Sequence, residues 1–484
     1  MANKRVVNNF FWQFFERCGA QGVQLVLSIV LARLLDPEVY GTVALVTVFT
    51  TLLHVFVESG LGTALIQKKN ADDTDFSTVF FFNVGMCITL YVGLFFAAPL
   101  IAAFYEIPEL TDIVRVLGLT LVLSGVRSIQ QAYVSKHLLF KRFFFSTLGG
   151  TIISAVVGIF MAAQGFGVWA LVGQNLANNL FNTLILWVTV RWRPKFTFSF
   201  ARLKGLFSYG WKLLVSSLLE TTYKDLRSLI IGKIYNADAL AFYNKGQYFP
   251  KTIIGNINSS INSVLLPVMS EMQDNREYVK NATRRAIKTS TYIIAPLMFG
   301  LAACAEPMVR LLLTEKWLPC VFYLQIFCVV FMFYPIHTAN LNAIKAMGRS
   351  DLFLTLEIIK KIVGLALLFS TMFISVEAMA LSMLASAVLS SIINSFPNKK
   401  LLNYSYFEQM KDLLPSLLLS LFMAVAVFFL GFLPLPDIAL IAIQVLAGAA
   451  IYVIGSILFK FDSFRYLLNT VKSYLKKSPK KTEE

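Results

Sequence analysis

Fourteen apolar runs, each about 20 residues long and separated by short polar breaks, follow one another from Phe10 to Phe459. A helix of that length crosses the ~30 Å hydrocarbon core of a bilayer, where every backbone group must be satisfied inside its own segment. The pattern predicts an all-α polytopic membrane protein. The expected spans are 10–35, 40–66, 78–104, 111–135, 146–164, 168–190, 208–235, 243–270, 287–313, 319–345, 352–374, 377–397, 412–432 and 437–459. Charge is scarce in keeping with this: 14% of residues are charged, against about 25% in soluble domains.

The net charge of +16 is distributed by loop. Roughly 29 of the 43 Lys and Arg fall in alternate loops and the two ends, the positive-inside pattern. The basic loops are Gln67–Asp75, Lys136–Arg142, Arg191–Lys204, Glu271–Lys288, Lys345–Asp351 and Lys399–Lys411. They are expected on the cytoplasmic side together with both termini. The basic balance thus reports topology and excludes a nucleic-acid partner. Cys18, Cys87, Cys304, Cys320 and Cys328 have no paired spacing, so small apolar packing is their expected role. The first apolar run carries Glu16 and Arg17 and reads as a span, not as a cleaved signal.

The long basic loop Arg191–Lys204 divides the chain. The expected organisation is a lobe over 1–200 with six helices, a second over 201–400 with six more, a helix pair over 401–459, and a basic amphipathic tail over 460–484. "LARLLDPEVYG" aligns with "IGKIYNADALAFY", matching Arg33 to Lys233 and Glu38 to Asp238. "ESGLGTALIQ" aligns likewise with "NSVLLPVMS". Both offsets are about 200 residues, which suggests duplicated halves with a substrate site between them.

The seventh run holds charges that an apolar span should not contain. Lys212, Ser216, Glu220, Lys224 and Arg227 recur at helical spacing on one face, with Asp225 beside them. An ionisable group at mid-membrane costs at least ~2.5–3.5 kcal/mol on insertion scales, so such groups usually face a watery cavity. Comparable stripes lie on three other helices: Gln13, Arg17, Gln21, Gln24 and Ser28 with Glu16 adjacent on the first, Thr47, Thr51, His54 and Glu58 on the second, and Lys251, Asn258 and Asn262 on the eighth. They fall on the first two helices of each half. Cations outweigh carboxylates in this set, so an anion is the expected guest. Phosphate or pyrophosphate matches guanidinium and ammonium donors best, with the Gln, Asn, Ser and Thr positions left for sugar hydroxyls. Glu16, Glu58, Glu220 and Asp225 are the candidates for coupling to H⁺ or Na⁺.

Each feature has a plainer reading. Glu220 and Lys224 are four apart and can neutralise one another, as can Glu306 with Arg310 and Glu357 with Lys361. His54 is more readily a satisfied buried histidine than a proton sensor, though Glu58 shares its face. Enzyme signatures are missing from the sequence: there is no GxxxxGK[ST], no HExxH, and only three histidines, His54, His137 and His337. The expectation is a protein that is not an enzyme and holds no cofactor or metal.

"LARLLDPEVYGTVALVTVFTTLLHVFVESGLGTALIQ" resembles the opening of bacterial Wzx-type polysaccharide exporters, particularly the WzxC-like branch. "YVSKHLLFKRF", "FGVWALV", "FSYGWKLLVSSLLE", "SVLLPVMS" and "HTANLNAIKAMGRSD" are similar to the same branch. That branch belongs to the superfamily of MATE multidrug transporters and the lipid II flippase. The resemblance covers essentially the whole chain. It implies two six-helix lobes around a central cavity lined by helices 1, 2, 7 and 8, plus two further helices. It also implies a flippase in the bacterial inner membrane, moving undecaprenyl-pyrophosphate-linked oligosaccharides by alternating access for O-antigen, capsule or exopolysaccharide synthesis. Membrane lipids, a polysaccharide polymerase and chain-length proteins are the implied partners. Of the cavity arginines of lipid II flippases, only Arg17 falls in a comparable region. A cation-coupled drug exporter on the same fold and a non-transporting scaffold of polysaccharide assembly remain alternatives.

Overall fold

A computed structural model describes residues 19–58 and 60–476. Among the described residues the chain is helical, without strands. It divides into two compact units, Met1–Ala241 and Phe242–Glu484.

The first unit contains α1 (Gly19–Leu34), α2 (Pro37–Glu58), α3 (Leu61–Gln67), α4 (Asp73–Tyr105), α5 (Leu110–Lys136), α6 (Phe140–Ala163), α7 (Val168–Thr189) and α8 (Phe200–Ile234). Next comes α9 (Ala237–Glu271), within which the division falls. The second unit continues with α10 (Arg276–Ala303), α11 (Ala305–Leu313), α12 (Cys320–Met332), α13 (Tyr334–Ala346), α14 (Ser350–Thr371) and α15 (Val376–Leu402). It closes with α16 (Tyr406–Leu430), α17 (Asp437–Leu458) and α18 (Asp462–Lys476).

Each of the fourteen expected spans overlaps one or two of these helices. Among the described residues, eight stretches are long and apolar enough to cross a membrane by length and composition. α5, α7, α8, α9 and α14 are not among them, because polar residues interrupt their apolar faces. Three expected spans are broken. The second bends at Gly60, whose φ of 95° suits glycine. The ninth stops at Ala303, four residues before Pro307, whose ring would collide with that carbonyl. The tenth divides at Phe333, just before Pro335. Pro99, Pro250, Pro267, Pro296, Pro397 and Pro415 lie inside continuous helices. The equivalent starts of α2 and α9, at Pro37 and Ala237, keep the offset of 200 residues, with Glu38 and Asp238 each in a first turn.

α8, expected to open the second lobe, packs within the first unit against α2, α3 and α4. Its crossing is tight: a Cβ at Gly60 would stand 2.3 Å from the Gly210 carbonyl oxygen, and one at Gly232 would stand 2.0 Å from the Leu45 side chain. Glycine at these points lets the backbones approach, as in other membrane helix pairs.

The basic loop before α8 is strapped onto the start of α4. Asp72 caps that helix, with Asp75 completing a capping box. Lys195 meets Asp73 at 2.7 Å, and the Trp192 indole N–H donates to the same carboxylate at 3.2 Å. The amides of Lys195 and Ser199 donate to Ser77 and Thr78. Asp75 is fully buried and holds Lys68 at 2.7 Å. A buried carboxylate is tolerable because it is paired.

The second unit has a comparable clasp. Arg284 of α10 meets Asp412 of α16 at 2.6 Å, and the Tyr404 hydroxyl donates to Asp412 at 2.8 Å. Burial and the neighbouring Asp412 carboxylate push the Tyr404 phenol up. Between α13, α15 and α16, Asn340, Ser395, Asn398 and Gln409 are buried and mutually hydrogen-bonded. The amphipathic tail forms α18, with Phe464 and Leu467 packed on the Tyr292–Tyr452 cluster and Arg285 over the Tyr466 ring at 5.1 Å. Cys87, Cys304, Cys320 and Cys328 are free and buried, which fits packing.

Candidate functional site

α8 carries the expected stripe. Lys212 and Ser216 are exposed, and Lys224 sits 3.2 Å from Glu220, four residues back on the same face. The local pairing anticipated for Glu220 is therefore present, yet 67% of the Lys224 side chain and 44% of that of Glu220 remain accessible. Asp225 and Arg227 are half-buried. One residue round the helix runs a second exposed ridge, entirely apolar: Phe207, Trp211, Val215 and Leu219, from 43% to 64% accessible. Successive residues differ by about 100°, so α8 displays a polar and an apolar ridge side by side.

The second-helix stripe lies on a direct neighbour of α8. Gly60 meets Gly210 and Leu45 meets Gly232, so the α2–α3 segment runs antiparallel along α8. His54 Nε2 lies 3.4 Å from the Thr120 hydroxyl of α5, which agrees with a satisfied histidine. Thr47 donates to its own helix, to the Val43 carbonyl. Glu58 ends α2, and its side chain lies outside the described set. On α1, Gln21 and Gln24 are exposed, whereas Arg17 and Glu16 lie outside the described residues.

Lys251, Asn258 and Asn262 belong to the second unit. Lys251 is exposed. The two asparagines are engaged by α13: the Thr338 hydroxyl donates to Asn258 Oδ1 at 2.6 Å, and Asn342 Nδ2 donates to Asn262 Oδ1 at 2.7 Å. These partners, spaced four apart on both helices, have no signature in the α9 sequence. Asn262 is still exposed at the residue level, so the bond does not remove it from a solvent-facing wall.

Other paired charges resolve simply. Arg310 meets Glu306 at 2.6 Å and, unexpectedly, Asp437 at 3.4 Å. Glu357 pairs at 2.6 Å with Lys360 of the same helix. Sequence reading missed Lys245 of α9, which is buried with its ammonium 5.2 Å from the Trp317 ring. No cluster of three metal-ligating side chains occurs among the described residues.

Paired polar ridges on long helices, in a multi-span membrane protein, are features of a transport protein's wall. A profile described as "polysaccharide biosynthesis protein" matches residues 30–322. The chain belongs to the polysaccharide biosynthesis protein family. Similarity to the succinoglycan biosynthesis transport protein ExoT of Rhizobium meliloti is 25% identity over 65% of this chain. That match spans 64% of the relative's own length, under two thirds. The lipopolysaccharide biosynthesis protein WzxC of Escherichia coli is 24% identical over 85% of this chain and 84% of its own. Among solved structures, the inward closed lipid II flippase MurJ aligns over 96% of this chain and 100% of that one, with TM-score 0.74 and 16% identity. An inward-facing MATE multidrug transporter aligns over 79% and 94%, with TM-score 0.63 and 14% identity. At these identities the structural likeness carries the fold alone: this member of the polysaccharide biosynthesis family has the helical fold shared by MurJ and MATE transporters.

Proposed function

We propose that this chain is a flippase that carries polyprenyl-pyrophosphate-linked oligosaccharides across the bacterial inner membrane by alternating access, for surface polysaccharide synthesis. The observation that carries the reading is the pair of ridges on α8. Its polar ridge offers Lys212, Lys224 and the hydroxyl of Ser216, while Phe207, Trp211, Val215 and Leu219 line the ridge beside it. An amphiphile with a pyrophosphate head and an isoprenoid tail needs such neighbours, cations for the phosphate oxygens and an apolar strip for the tail. The polysaccharide biosynthesis family, the succinoglycan transport protein ExoT and the lipopolysaccharide biosynthesis protein WzxC support a role in moving a polysaccharide precursor.

In this proposal Arg17, Gln21, Gln24, Lys212, Ser216, Lys224, Arg227, Lys251, Asn258 and Asn262 are the residues that would meet the substrate. Fourteen spans would place both termini and all basic loops in the cytoplasm. Glu16, Glu58, Glu220 and Asp225 would serve any coupling to H⁺ or Na⁺, and a polymerase with its chain-length proteins would receive the flipped unit. The MATE-type drug-export alternative calls for a carboxylate-dominated pocket. The described stripes argue against it, since Lys212, Lys224, Arg227 and Lys251 outnumber Glu220 and Asp225.

The test is expression in a strain that lacks its own flippase, followed by chemical analysis of surface polymer. Restored polymer supports the reading. A strain that gains drug resistance but makes no polymer would replace it with drug export.

A further inference from the structure

A cavity of about 420 Å³ opens on the basic-loop face of the first unit, lined by Ala64, Gln67, Lys68, Arg202, Gly205 and Leu206. That volume lies in the ~300–1,000 Å³ range of small-ligand sites. Every charge on its wall is positive, because the carboxylates that hold those cations, Asp72 and Asp75, are not part of the lining. Arg202 reaches both aspartates through Nη1, at 2.5 and 3.3 Å, and its Nε and Nη2 donors bond to no other described residue. Lys68 and Arg202 keep 38% and 39% of their side chains accessible. The aspartates thus balance and orient the two cations, and the cavity side keeps the accessible donor groups of Lys68 and Arg202. Ala64 and Leu206 supply an apolar floor, and the exposed Ile66, Phe200 and Phe207 continue it along the same two helices.

The geometry points to a binding site for a lipid-borne phosphate at the start of α8, apart from the Lys212–Arg227 stripe. The fork of Arg202 takes phosphate oxygens, Lys68 adds a second charge, and the apolar residues beside the rim receive the first carbons of the chain. This inference does not rest on the transport reading, because its readout is binding and not export.

The test uses the purified full chain in detergent, with farnesyl diphosphate as the lipid-borne probe and inorganic pyrophosphate as the free one, both scored by native mass spectrometry. Gly205→Trp adds bulk at the cavity wall without removing either cation, and a Cβ at Gly205 meets nothing within 4 Å. To silence the stripe, the comparison is made in a Lys224→Gln/Arg227→Gln background and repeated in the unmodified chain. Farnesyl diphosphate should bind without the Gly205→Trp change and weaken at least tenfold with it. The Lys68→Gln/Arg202→Gln pair should do the same where it folds. Inorganic pyrophosphate should bind at least tenfold more weakly than the lipid probe. Equal binding with and without Gly205→Trp, or no binding at all, overturns the site. Pyrophosphate binding as tightly as farnesyl diphosphate overturns its assignment to lipid.

Discussion

Asn342 donates to Asn262 across α13 and α9 at 2.7 Å, one helical turn from the Thr338–Asn258 bond at 2.6 Å. The two bonds form a polar ladder between helices that the apolar pattern alone does not align. Interhelical bonds in membranes average about 0.6 kcal/mol, because the separated helices also find partners. A double-mutant cycle with Asn262→Ala and Asn342→Ala should return a coupling of about 0.6 kcal/mol. A coupling of zero in reversible unfolding would remove the ladder as a stabilising feature.

Export should depend on the cations of α8. Replacing Lys224 and Arg227 with Gln is expected to abolish surface polysaccharide while the protein stays at normal level in the membrane. Glu220 loses the Lys224 ion pair in this variant, but 44% of its side chain is accessible to water, so the fold should tolerate the change. Undiminished polymer in that strain would sink the cationic role of the stripe.

The glycine crossing of α3 and α8 should not accept a methyl group. At Gly60 the added Cβ meets backbone, and the φ of 95° is strained for any L side chain. Gly60→Ala should therefore cost about 1–3 kcal/mol as overpacking, read as a lowered unfolding midpoint. Gly205→Ala on α8 is the control, because its Cβ faces open space, and it should be neutral or slightly stabilising.

The strap over α4 has a defined acid limit. The Arg202 hydrogen bond holds the Asp72 carboxyl at about 2, below its ordinary 3.8. A carboxyl depressed on folding contributes its full share above the unfolded value and loses it as pH falls through the folded one. Peptic cleavage within 190–199 should accordingly speed up in the unmodified chain as pH falls from about 3.8 to about 2. In Arg202→Gln, which lacks that contribution, cleavage should already be faster above pH 3.8 and should change less between about 3.8 and about 2. Identical pH profiles would show that Arg202 does not set the limit.

Much of this architecture is legible in the sequence because lipid makes stringent demands. Runs such as 412–432 and 437–459 admit little but a helix, and α16 and α17 follow them closely. The stripe from Lys212 to Arg227 is equally legible, since periodicity places residues on a face. What periodicity does not carry is the identity of the facing helix. Thr338 and Asn342 lie about 80 residues from the asparagines they bind, and Arg202 is 130 from Asp72. Nor does it distinguish a proline that breaks a helix, such as Pro307, from one such as Pro296 that continues within it. The second contact of Arg310, with Asp437, escaped for the same reason: it joins helices 127 residues apart.

The strap on α4 also bears on how the chain acquires its direction. Lys68, Lys136, Lys195 and Arg202 belong to the basic loops that vote on orientation as the protein is inserted. In the finished unit Lys68, Lys195 and Arg202 grip aspartates, and Lys136 holds the carbonyl oxygens of Leu65 and Lys68. Where the positive-inside rule sets the orientation, one set of side chains would serve as compass during biogenesis and as rivet afterwards. Mutations meant to turn the protein over in the membrane would loosen its first unit as well, so orientation and integrity are inherited together.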